Sequence, residues 1–274
     1  MRAFLISSAA AAALLSGCQT AETTQAGVVG VDRDQRFLVS AEEVNAGAQK
    51  AYAQMMAEAQ KKGVLDKDPA QVQRVQAITK RLIAQTPTFR PDAAKWPWEV
   101  HVISVDEVNA WCMPAGKMAM YSGLIQKLNA TDDEIAAVMG HEISHALREH
   151  SREQISRQMG TQMGVGLVGA LLGIGDLGQS IAGQVANVTL NLPNSRQAET
   201  EADRIGIELA ARAGFDPQAA VSLWEKMSKV GGGQPPKWLS THPPHEDRIN
   251  DLRSYAQKVM PLYTAAKGGA AAGK

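Results

Sequence analysis

His141-Glu142-Ile143-Ser144-His145 forms an H-E-x-x-H sequence inside a stretch of helical period. Four residues apart on a helix, two imidazoles point the same way and can reach one metal ion, while the glutamate between them stands within reach of a water molecule. The chemistry this suggests is metal-assisted hydrolysis. Zinc in such a site needs a third protein ligand and an open fourth position. Downstream, SRQAETEADRIG offers Glu199, Glu201 and Asp203. Glu199 and Asp203 share a helix face, so one can bind the metal while the other holds a ligand imidazole in its tautomer; Glu201 points elsewhere. The competing interpretation is a solvated charged face on which Arg196 pairs with Glu199.

These residues need a scaffold. Thr131 and Glu134 have capping-box spacing, and the helix they open should run through Glu142 to about His150, buried by Ile135, Val138 and Met139. Glu199 and Asp203 fall on a helix expected over 196–213, ended by Gly214, with another over 216–230 and a last one after the Pro-rich THPPHED turn. Upstream, Ser40 and Glu43 open a helix reaching Gly63, and Asp68-Pro69 opens a second. WEVHVISV and KMAMYSG alternate as strands around NAWCMPAG. The expected fold is α+β, predominantly helical, with a small sheet beside the H-E-x-x-H helix. Between Gln158 and Ser195 the only charge is Asp176. The most apolar part, Met163 to Gly175, would reach about 20 Å as helix, short of a hydrocarbon core of about 30 Å. It is expected to be a buried or mobile cover, with membrane contact as the alternative.

The 28 basic and 28 acidic residues of the 274-residue chain cancel, giving no electrostatic reason for nucleic acid as a partner. Residues 1–17 combine Arg2 with an Ala/Leu-rich stretch, as export signals do. Leu15-Ser16-Gly17-Cys18 resembles the lipobox of bacterial lipoproteins, which implies a lipidated Cys18 and, with Gln19 following, an outer-membrane anchor facing the periplasm. Residues 18–39 are expected to form a flexible tether, 40–260 the folded domain and 261–274 a disordered tail. Cys112, left without a partner, is expected to be a buried, inert thiol.

HEISHALREH followed by SRQAETEADRIG resembles the zinc metallopeptidases of the CAAX prenyl protease and HtpX type, the gluzincins of metallopeptidase family forty-eight. NAWCMPAGKMAMYSGL and STHPPHEDRI resemble two further blocks of that family, in the same order. The resemblance implies a gluzincin fold and a single zinc ion per chain held by His141, His145 and Glu199. Asp203 would stand behind the ligands and Glu142 would act as general base. His242 and Arg248 would stabilise the oxyanion, while His101, His150 and His245 are expected to be structural. The family usually has Pro-Gly-Gly where this chain has Pro114-Ala115-Gly116. After that turn an edge strand, here Lys117, Met118, Ala119, Met120 and Tyr121, would bind an extended peptide by strand addition. The implied function is an endopeptidase degrading unfolded or misfolded envelope polypeptides. The alternative is a chaperone-like factor that binds polypeptide in the same cleft, with outer-membrane assembly machinery as a candidate partner. Prenylated substrates do not fit, because that branch of the family spans the membrane repeatedly.

Overall fold

A computed structural model describes residues 19–172, 180–230, 236–244 and 247–272. Cys18, the residues expected to form an export signal before it and His245 lie outside the described residues, and the expected cover over Met163 to Gly175 falls on side chains outside them. The fold is the expected α+β, predominantly helical.

Two short strands, β1 (Gln19–Ala21) and β2 (Gln35–Phe37), pair antiparallel and precede helix α1 (Ala41–Lys61). Ser40 accepts from the Glu43 amide, and the Glu43 carboxylate accepts from that of Ser40, so the capping box is closed. Helix α2 (Pro69–Ile83) opens under Asp68, which accepts from the amides of Ala70 and Gln71. A three-stranded sheet follows: β3 (Glu99–Ile103), β4 (Ala110–Met113) and β5 (Lys117–Tyr121). Because strand side chains alternate, Ala110, Cys112, Met118 and Met120 enter one core, while Trp111, Met113 and Ala119 enter a second with Val44, Ala48 and Tyr52 of α1.

The strand order β3-β5-β4 corrects one expectation. β5 is the middle strand, parallel to β3 and antiparallel to β4, so Lys117–Tyr121 has no free edge for peptide addition. The edges are β3 and β4. In the turn before β5, Ala115 adopts φ 58°, left-handed backbone that the family's usual glycine takes without steric cost.

After α3 (Ser122–Lys127) comes α4 (Asp132–Leu147), opened by the Thr131–Glu134 capping box. It is shorter than its period suggests. Glu149 turns the chain at φ 49°, and a separate helix, α5 (His150–Leu172), begins there. Then follow α6 (Ile181–Leu190), α7 (Arg196–Arg212), α8 (Ala219–Lys229), α9 (Lys237–Thr241) and α10 (Arg248–Ala272). Helices α4 and α7 pack closely where two glycines meet. A Cβ on Gly206 would sit 2.7 Å from the His141 amide nitrogen, and one on Gly140 would sit 2.9 Å from the Gly206 carbonyl.

The described parts of two segments, 19–39 and 261–272, are more ordered than their composition suggests. Residues 19–39, expected to be a tether, bury Val29, Val31, Phe37 and Val39. The Val29 amide donates to Glu208 and the Gln25 amide to the Phe89 carbonyl. The polar composition of this segment reflects side chains that pair with charges on the body. The tail expected to be disordered is helical to Ala272 as the end of α10, consistent with the high helix propensity of its alanines. Among the described residues, no helix is long and apolar enough to cross a membrane.

Candidate metal centre

Helix α4 places His141 and His145 on one face, and the Gly140–Gly206 crossing brings α7 near enough for Glu199 to meet them. His141, His145, Glu199 and His242 each offer a ligand atom, and these atoms all lie within 4.8 Å of one another. The two imidazole Nε2 atoms are 3.0 Å apart, and the Glu199 oxygens stand 3.5 Å from His141 Nε2 and 3.4 Å from His145 Nε2. Glu199 is fully buried, and its Oε1 makes no hydrogen bond of good geometry. A buried carboxylate oxygen left over where imidazole nitrogens converge is suited to a cation, and the N,N,O donor set suits zinc.

Each donor is held from behind. Asp203 lies with its Oδ1 2.9 Å from His141 Nδ1. Arg248 donates from one guanidinium nitrogen to Glu199 at 2.8 Å and from another to Asp203 at 2.8 Å, with its plane 3.8 Å from the Trp224 ring centre. Burial alone would raise the pKa of Glu199, yet His242, His145, His141 and Arg248 hold it well below the usual carboxylate range. Asp203 is likewise lowered against its burial by Arg248 and His141. Arg248, expected to face an oxyanion, therefore faces two carboxylates.

Glu142 is buried beside the imidazoles. Its Oε1 accepts from the indole Nε1 of Trp238 at 2.7 Å and lies 3.4 Å from His242 Nε2. His242 stacks on Trp238 with ring centres 4.5 Å apart and lies with its Nδ1 3.1 Å from the Trp238 carbonyl oxygen. Burial pushes the His242 imidazole down to about 4, with Glu199 and Glu142 opposing that shift. One of its ring nitrogens thus stands among the converging donor atoms of His141, His145 and Glu199. Sequence reasoning missed Trp238; its signal was an aromatic residue just before the STHPPHEDRI block.

Two more residues proved to be neighbours of the site. His150 is buried with its Nδ1 2.8 Å from His145 Nδ1, and Glu201 lies 3.2 Å from His150 Nε2. Burial pushes His150 down to about 4. Cys112 is buried, and that burial raises its thiol pKa well above the ordinary value, in line with an inert residue. His101 sits away from the donor group, between Asp66 and Glu99.

The family model for Peptidase family M48 matches residues 69–256. The chain is 33% identical over 215 residues to the mitochondrial metalloendopeptidase OMA1 of Schizosaccharomyces pombe, covering 78% of this chain and 61% of that protein. It is 39% identical over 174 residues to OMA1 of Arabidopsis thaliana, covering 63% and 35%. Over 207 residues it is 31% identical to the β-barrel assembly-enhancing protease of Escherichia coli, covering 71% and 41%. The chain thus spans between about a third and three fifths of the length of these relatives. With the match enclosing every residue of the donor group, the chain belongs to peptidase family M48.

Proposed function

We infer that this protein is a zinc-dependent endopeptidase acting on unfolded or misfolded polypeptides, and that it works at the periplasmic face of the outer membrane, anchored through a lipid on Cys18. The observation that carries the activity is the buried convergence of His141, His145 and Glu199 with Glu142 beside them. Zinc held there would lower the pKa of water and polarise the scissile carbonyl. Glu142 is the general base: it takes a proton from the attacking water and returns it to the leaving amine. Trp238 holds one Glu142 oxygen, leaving the other for proton transfer. Asp203 fixes the His141 tautomer, and Arg248 keeps both Glu199 and Asp203 charged and oriented.

His242 must swing out of the donor group to admit a substrate carbonyl, which releases its Nδ1 from the Trp238 carbonyl, and with the ring hydrogen moved to Nε2 it can then donate to the developing oxyanion. A peptide would add to the sheet at the β4 edge, since β5 is paired on both sides. Envelope quality control is the setting that an export signal and a lipobox support. The burial of the donor group also favours a second reading, in which the cleft mainly binds polypeptide during outer-membrane assembly and cleavage is gated. The test is cleavage of a denatured protein: activity that chelation removes and zinc restores supports the peptidase, and chelator-resistant cleavage, or none after zinc loading, contradicts it.

A further inference from the structure

His145 and His150 are five residues apart. On a continuous helix that spacing would turn their side chains about 140° away from one another. The break at Glu149, with φ 49°, cancels that separation, and the Nδ1 atoms stand 2.8 Å apart with both rings buried. On its far side His150 meets Glu201, and Glu201 accepts from Arg148 at 2.9 Å and from Arg33 at 2.7 Å. Arg33 belongs to the N-terminal segment. It also spans Glu153 with two bonds of 2.8 and 3.0 Å, while Arg148 donates back to the Arg33 carbonyl.

The direction of the protons along this chain follows from its end. A carboxylate only accepts, so His150 carries hydrogen on Nε2 and leaves Nδ1 bare. His145 must then carry hydrogen on Nδ1, which leaves its Nε2 bare and directed at Glu199 and His141. That is the tautomer a metal requires.

We propose that Glu201 and His150 are positioning residues that set the tautomer and aim of His145 for metal, and that Arg33 makes the docked N-terminal segment part of this support. The proposal rests on the metal-centre reading above. Reciprocity follows: whatever loosens residues 19–39 weakens metal binding, and metal binding tightens their docking.

The test uses the full chain and zinc alone. Apparent zinc dissociation constants, from chelator competition, are compared for wild type, His150→Phe, Glu201→Gln, Arg33→Met and the Arg33→Met/Glu201→Gln pair. His150→Phe and Glu201→Gln should each weaken zinc about 10- to 100-fold, and Arg33→Met about threefold or more. The double variant should fall short of the product of its singles, since both act through one chain. The cobalt-loaded variants should also show altered visible spectra, a change that lost fold stability alone does not produce. If His150→Phe fails to fold, Glu201→Gln and the partly exposed Arg33 decide the outcome. Folded variants with wild-type affinity and spectra overturn the proposal. A strictly multiplicative double variant overturns the Arg33 arm. A wild-type chain that refuses zinc removes the metal centre itself, a failure distinct from that of the positioning residues.

Discussion

The indole N–H of Trp238 donates to Glu142 Oε1 across 2.7 Å, joining α9 to α4 with both residues buried. The same indole supports the His242 ring, so a single aromatic residue fixes both the base and the imidazole opposite it. Replacing it with Phe keeps the stack but removes the donor, leaving a buried carboxylate oxygen short of a partner. Trp238→Phe should therefore lower the stability of the metal-free protein by about 1–3 kcal/mol with zinc stoichiometry unchanged. An unaltered denaturation midpoint would show that this bond contributes nothing.

Glu199 reaches the imidazoles only because α4 and α7 approach at Gly140 and Gly206. A Cβ on Gly206 would come within 2.7 Å of the His141 nitrogen and 3.0 Å of its Cα, both backbone atoms that cannot swing aside. Gly206→Ala should cost about 1–3 kcal/mol of stability, as overpacked cores do, and should weaken zinc by moving Glu199 away from His141. Calorimetry with zinc titration reads both effects; wild-type values would mean that the helices have slack.

Arg248 is the countercharge of two buried carboxylates. Arg248→Met should destabilise the metal-free protein by about 3–5 kcal/mol, because Glu199 and Asp203 would remain buried with the imidazoles as their only remaining positive partners. Added zinc should raise the melting temperature more in the variant than in wild type, since the cation takes over part of the role of the lost charge. An equal shift in the two proteins would contradict this.

Acid should release the contact between the N-terminal segment and α5. Burial works to raise the Glu153 pKa, but the bonds from Arg33 and Gln35 outweigh it and hold the carboxyl below its ordinary 4.5. A depressed carboxylate contributes stability that is fully present above its unfolded value and is lost as pH falls through the folded one. The stability difference between wild type and Glu153→Gln should thus be constant above about pH 5 and shrink below 4.5. Chemical denaturation along a pH series measures it, and a gap independent of pH would exclude ionisation as the cause.

Periodicity and capping carried far in this sequence. The boxes at Ser40 and Thr131, the Asp68 cap and the H-E-x-x-H spacing are local signals, and α1, α2 and the start of α4 follow them. The pairing of Glu199 with Asp203 on one face was equally local. Pairing order in the sheet was not, because alternation identifies strands without saying which neighbours they choose; β5 therefore became central against expectation. Nor was the break at Glu149 legible, since no Gly or Pro marks it, and with it went the meeting of His150 and His145. The docking of residues 19–39 rests on pairs such as Arg33 with Glu201, so far apart in sequence that composition registers only polarity.

The central claim, that Glu142 is the base of a zinc peptidase, is tested most directly by measuring zinc content and cleavage of a denatured protein for wild type and Glu142→Gln side by side. The account predicts about one zinc per chain in both and a loss of at least about a hundredfold in cleavage for the variant. A Glu142→Gln protein that holds zinc and cleaves at the wild-type rate would contradict it.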